Sequence, residues 1–166
     1  PHGTIYTCIK GQGVYELPAD NAAALPVKIT RLPHREGEPI SVCMSVEESH
    51  TSSDRVAEVL AIAARHGLKT REPARLDSQC KYAVVARGQA DAYIRLPTRK
   101  GYVERIWDHA AGALIAAEAG CGVTDALGHG LDFSQGRGLE KNQGILAAPA
   151  RVHGVLLGAI QELGAG

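Results

Sequence analysis

No apolar run in this chain approaches the roughly 18 residues that a membrane-spanning helix needs, and no segment has the layout of a secretory signal. Neither charge sign is in excess. Eighteen Lys and Arg balance 18 Asp and Glu, so no overall field draws the protein to nucleic acid or to an anionic membrane. Neither is expected as a partner. Cysteine is sparse and scattered: Cys8, Cys43, Cys80 and Cys121 form no C-x-x-C pair. That spacing argues against a zinc site or a disulfide frame and for reduced thiols in a cytoplasmic setting. Several familiar catalytic patterns are also missing, among them a Walker lysine, H-E-x-x-H and G-x-S-x-G. Gly11-x-Gly13 leads into a strand rather than a helix, which excludes a dinucleotide fingerprint. There is no internal repeat and no low-complexity tract.

What remains is an ordinary globular composition. The 166 residues are 45% hydrophobic and 22% charged, enough to build one core. Thr4 to Ile9 reads as a strand, Gly11-Gln12-Gly13 as a turn and Val14 to Leu17 as a returning strand. A lone hairpin is marginal in water, so these strands are expected to belong to a larger sheet. Pro18 to Pro39 holds four of the eight prolines and reads as a connector, with Val27-Lys28-Ile29 a candidate edge strand. The chain begins at Pro1, and Met44 is its one methionine. It is expected to be the C-terminal part of a longer protein.

From residue 40 strands and helices alternate, which predicts an α/β layer with helices on both faces of the sheet. Residues 1–39 are thus a hairpin and connector from an N-terminal α+β domain, and residues 40–166 a C-terminal α/β domain. Ile40 to Val46 is a strand, and Val56, Val59, Leu60 and Ala63 recur at helical spacing after it. Ser78 is a good N-cap for a helix from Gln79 to about Arg87. Ala92 to Leu96 is the next strand. A helix is expected from Trp107 to Ala119, and a last one carries Val152, Leu156, Ala159 and Ile160 on one face.

Three chemical features stand out. In Leu76-Asp77-Ser78-Gln79-Cys80-Lys81-Tyr82, a hydroxyl, backbone N–H groups and an ammonium gather where a strand becomes a helix. That edge is where open α/β sheets bind ligands, and the donors suit an anion such as phosphate; the plainer reading is a cap beside a solvated lysine. In Ser49-His50-Thr51-Ser52, the histidine can donate to a phosphate, stack near a base or simply be solvated. Arg95 ends its strand and could pair bidentately with phosphate, whereas Arg99, Lys100 and Arg105 read as a solvated basic loop. Asp108 is the acidic counterweight, placed in the first turn of a small-residue helix, where a carboxylate can help hold metal and phosphate together. One aspartate cannot hold magnesium unaided. His109 points about 100° round the helix from it and reads as structural.

Together these segments resemble the 3'(2'),5'-bisphosphate nucleotidases, a branch of the magnesium-dependent, lithium-sensitive phosphatase superfamily that also contains inositol monophosphatase. Ile106-Trp107-Asp108-His109-Ala110-Ala111-Gly112 with Glu118-Ala119-Gly120 is similar to the superfamily's second signature. Leu76 to Tyr82, Tyr93-Ile94-Arg95-Leu96-Pro97 and Tyr102 to Asp108 favour the nucleotidase branch. The resemblance implies the C-terminal layers of the inositol monophosphatase-like sandwich. It implies nucleotide contacts at His50, Ser78, Lys81, Arg95 and Asp108, with Asp108 also a Mg2+ ligand and a catalytic residue. The implied reaction is direct hydrolysis of the 3'-phosphate of adenosine 3',5'-bisphosphate, with 3'-phosphoadenylyl sulfate of sulfur metabolism as a second candidate substrate, without a covalent phosphoenzyme. The family's first signature, Asp-Pro-Ile-Asp-Gly-Thr, is not in this chain. Most metal ligands are therefore expected from a missing N-terminal segment of the same protein, and this chain alone should be weakly active or inactive. An inositol phosphate phosphatase and a non-catalytic nucleotide-binding fragment are the alternatives.

Overall fold

The computed structural model describes residues 3–21, 23–47, 51–99 and 101–164. Strands β1 (Thr4–Cys8) and β2 (Val14–Pro18) pair antiparallel, and β3 (Val27–Ile29) joins the other side of β2. The candidate edge strand is therefore real, and the expected hairpin is a three-stranded sheet. Further on, β4 (Val42–Ser45), helix α1 (Ser53–Arg65), β5 (Ala74–Leu76), α2 (Cys80–Ala86) and β6 (Ala92–Arg95) alternate. Helix α3 (Ala110–Glu118), β7 (Gly122–Thr124), β8 (Ile145–Ala148) and α4 (Ala150–Leu163) complete the order.

The second sheet runs β5-β4-β6-β8-β7. Strand β4 is parallel to β5 and to β6, while β8 is antiparallel to both β6 and β7. Its strands are apolar on both faces. Val42, Met44, Ile94, Leu146 and Ala148 face one way, into α1 and α4. Cys43, Tyr93, Ile145 and Ala147 face the other, into α2 and α3. A sheet so patterned needs cover on both sides, and each fully buried aliphatic side chain contributes about 1.5–3 kcal/mol to keeping it.

The small sheet lies over the outer side of α2 and α3, with Val14, Ala86 and Ala119 packed against Cys8, Ile29 and Ile115. Polar ties fix it there. The Glu118 carboxylate accepts from Gly11 N at 2.7 Å and Gly13 N at 2.8 Å, clasping the β1–β2 turn. These two bonds hold its carboxyl below the usual glutamate range. Arg87 pairs with Glu16 at 2.8 Å, and Asp91 takes Arg31 at 2.6 Å and Ser41 N at 2.8 Å to anchor the connector. No helix among the described residues is long and apolar enough to cross a membrane.

Helices α2 and α3 approach closely because Gly112 has no side chain. A Cβ there would overlap the ring of Tyr82, which is fully buried and cannot move aside. Gly112→Ala is expected to destabilise the full-length protein by about 1–3 kcal/mol, the usual range for overpacking. Urea unfolding of the two proteins measures it, and an unchanged midpoint would contradict this packing.

Two helix starts differ from expectation. Helix α2 begins at Cys80, one residue late, because Ser78 is not its cap: Ser78 has φ 53°, in the left-handed region. The expected helix from Trp107 is split into a 3-10 turn, Ile106–Asp108, and α3 proper. His109 sits at the join with φ −134° because its ring is drawn into the core. Asp108 thus precedes α3 rather than lying in its first turn.

Candidate active site

Because β4, β5 and β6 are parallel, Ser45, Asp77 and Arg95 all emerge at one sheet edge. The segments that follow close a cleft of about 190 Å³ there. Ser78, Lys81, Arg95 and Asp108, far apart in the chain, all line it. So do Asp77, Gln79, Tyr93 and Trp107. His50 lies outside the described residues.

Ser78 is the only non-glycine at positive φ among the described residues. Such a conformation costs on the order of 1–3 kcal/mol unless the surroundings enforce it. Lys81 does so from beneath. Its Nζ donates to Ser78 O at 2.7 Å and to Leu76 O at 3.2 Å, and it stands 5.4 Å from the centre of the Tyr93 ring. Burial, with the Arg95 charge nearby, pulls its pKa below the ordinary lysine value. An ammonium has three donors, so one remains for a ligand. The Ser78 hydroxyl turns back to accept from Cys80 N at 3.3 Å.

Arg95 is not free for the bidentate phosphate pair the sequence suggested. Its Nε donates to Glu104 Oε1 at 2.7 Å, and Nη2 lies 2.7 Å from Glu104 Oε2. Nη2 also donates to the Tyr102 hydroxyl at 3.1 Å. The fork edge is occupied by Glu104, and the Tyr93 hydroxyl also hydrogen-bonds the guanidinium, so Arg95 lines the cleft as a cation already held by the protein. Burial opposes the guanidinium charge, but Glu104 overcomes it and raises the pKa above the usual arginine value.

Glu104 also holds His109. The imidazole Nε2 lies 3.0 Å from Glu104 Oε2, and Nδ1 lies 2.9 Å from the Tyr82 hydroxyl. A carboxylate only accepts, so Nε2 carries the proton, and in the neutral ring Nδ1 accepts from Tyr82. The chain Arg95–Glu104–His109–Tyr82 is buried throughout and backs the cleft, reaching its wall through Arg95 alone. His109 supports the site from behind through Glu104, in keeping with its reading as a structural residue or one that backs a site residue, although the helix on which its direction was judged is broken there.

Asp108 is exposed at the front wall. Its carboxylate has no hydrogen-bond or ion-pair partner among the described residues. Beside two partly satisfied cations, a free carboxylate suits a hard, oxygen-liganded cation shared with phosphate. The fit is partial, since no three His, Cys, Asp or Glu cluster to hold a metal among the described residues.

Sequence reasoning missed Glu104, Gln79 and Asp77. Glu104 lies in Tyr102 to Asp108, Gln79 and Asp77 in Leu76 to Tyr82, both segments that carry the resemblance, but only their partners reveal what Glu104 and Gln79 do.

The inositol monophosphatase family matches residues 1–164. A 3'(2'),5'-bisphosphate nucleotidase of Emericella nidulans is 40% identical over 163 residues, covering 98% of this chain and 45% of its own length. Another from Schizosaccharomyces pombe is 37% identical over 151 residues, or 89% and 41% of the two chains. The chain thus spans less than half the length of these curated relatives. Among solved structures, an inositol monophosphatase family protein from Staphylococcus aureus superposes with TM-score 0.63 at 19% identity, over 95% of this chain and 52% of that one. A Pyrococcus horikoshii protein described as similar to inositol-1 monophosphatase gives 0.61 at 23%, over 95% and 52%. At these identities the two structures speak for the fold alone.

Proposed function

The chain belongs to the inositol monophosphatase family, and from that premise we propose that the protein carrying it is a phosphomonoesterase acting on adenosine 3',5'-bisphosphate. The observation that carries this reading is the cleft itself, where Lys81, with one N–H free, and the Arg95 guanidinium stand opposite one unpaired carboxylate. That arrangement suits a phosphate ester. Preference for a nucleotide rests on the 37–40% identity to relatives named as bisphosphate nucleotidases along nearly the whole chain.

In this reading the remaining Lys81 proton takes one phosphoryl oxygen and the Arg95 guanidinium supplies positive charge to another. Charge-assisted bonds of this kind are about twice as strong as neutral ones. Both donors are fixed before the ligand arrives, Lys81 by two carbonyls and Arg95 by Glu104, so little reorganisation accompanies binding. The strained Ser78 turn is, in this reading, the wall that faces the phosphate across the cleft from Asp108. Water attacks phosphorus in line and the 3'-oxygen of the ribose leaves, with no protein nucleophile required. The family uses a divalent metal ion; when bound it supplies Lewis-acid polarisation of a phosphoryl oxygen, and Asp108 is the residue here that would hold it. We take the metal to be Mg2+, with its other ligands and the activation of the water supplied from outside the residues present here. The His50 segment would complete the nucleotide contacts. The partners in this reading are the small-molecule nucleotide and an N-terminal segment of the same protein, in the cytoplasm.

The test is phosphate release by the full-length protein from adenosine 3',5'-bisphosphate and from inositol 1-phosphate, with Mg2+. The nucleotide is expected to be preferred at least tenfold in kcat/KM. Preference for the inositol ester would reassign the substrate. Retained AMP binding without turnover of either would make the protein a binding module.

A further inference from the structure

We propose that Gln79 is a positioning residue that sets the distance between the two walls of the cleft. Its side-chain amide bridges them. Nε2 donates to Trp107 O at 2.8 Å, and Oε1 accepts from Gly112 N at 2.6 Å. The orientation of the amide follows from its partners: a carbonyl can only accept and a backbone N–H can only donate, so a flipped amide would lose both bonds.

The two anchor points bracket Asp108. Trp107 O belongs to the peptide bond that leads into Asp108. Gly112 N is the third N–H of α3, one of the four that a helix leaves without an internal partner. Helix α3 has no side-chain cap of its own, because the flanking His109 is committed to Glu104 and Tyr82. Gln79 therefore caps α3 from another helix. On its own side Gln79 immediately follows Ser78, whose left-handed turn forms the opposite wall. One amide thus joins the Ser78 turn to the segment that carries Asp108.

The inference rests on the phosphatase reading for its catalytic consequence, though the clamp does not depend on it. Gln79 touches no reacting atom and acts through Ser78 and Asp108. Two variants separate its bonds. Gln79→Met keeps the shape and removes both, while Gln79→Glu keeps the acceptor for Gly112 and removes the donor to Trp107. In the full-length protein, Gln79→Met is expected to lower kcat/KM for adenosine 3',5'-bisphosphate at least tenfold, with Gln79→Glu in between. Hydrogen exchange at the Gly112 amide should accelerate at least tenfold in Gln79→Met and stay near wild type in Gln79→Glu. Ile160→Val, in the core on the far side of the sheet, serves as a control for general destabilisation and should leave both readouts unchanged. Exchange at Gly112 that ignores Gln79→Met, or kinetics as unaffected as in Ile160→Val, would overturn the proposal. A wild-type protein that hydrolyses neither phosphate ester would defeat the functional reading and the catalytic role together. In that case slow exchange lost in Gln79→Met still marks the clamp as real, so the two failures are told apart.

Discussion

Asp108→Asn in the full-length protein is expected to lower kcat by more than about 100-fold, because residues that only support a metal ligand already cost 10–100-fold when removed, and in the proposed site Asp108 would hold the metal itself. The substitution keeps the shape and removes the charge. Asp108 is exposed and has no partner among the described residues, so nothing in the fold depends on its carboxylate. Stability should accordingly stay within about 0.5 kcal/mol of wild type, as for surface positions away from special features. The Mg2+ concentration for half-maximal activity should rise at the same time. A fall in activity with stability intact assigns the carboxylate to chemistry. Near-normal turnover would instead leave Asp108 as a turn residue, and the partial metal fit at the front wall would mean nothing.

How far the site could be read from the chain depends on where each residue finds its partner. The alternation after residue 40 was plain, since buried strands such as Val42–Ser45 are apolar on both faces and Val56, Val59 and Leu60 keep the helical period. Convergence of Ser78, Lys81, Arg95 and Asp108 also followed, because three parallel strands must end at one edge. Details set by distant partners were out of reach. Ser78 looks like a helix cap until Lys81 is seen pinning its carbonyl and holding φ positive. The helix at Trp107 looks continuous until Glu104 and Tyr82 draw His109 inward and break it. Arg95 looks free to grip phosphate until Glu104, nine residues on, occupies its fork. Each misreading is local sequence overruled by one buried polar bond.

That dependence on Glu104 gives the largest expected loss of stability. Glu104 and Arg95 are 1% and 5% exposed at their side chains, so water cannot replace either partner. Glu104→Ala strips the counterion from a buried guanidinium and the acceptor from a buried His109 N–H. Breaking a buried pair from one side costs about 3–5 kcal/mol, mostly through the charge left behind, and that is the destabilisation expected by urea unfolding of the full-length protein. Glu104→Gln should be only partly better, since its amide NH2 would face either Arg95 or His109, both of which are donors. The cause can be isolated by removing the stranded charge as well. Arg95→Met combined with Glu104→Ala should be less destabilised than the sum of the two single substitutions, by about 1–3 kcal/mol, the coupling expected of residues in one network. Strict additivity would mean that Glu104 acts by filling space, and the electrostatic account of the back wall would fail. If coupling is found, nucleotide affinity should fall in Glu104→Ala even under strongly native conditions, because Glu104 is what holds the Arg95 guanidinium in place at the cleft.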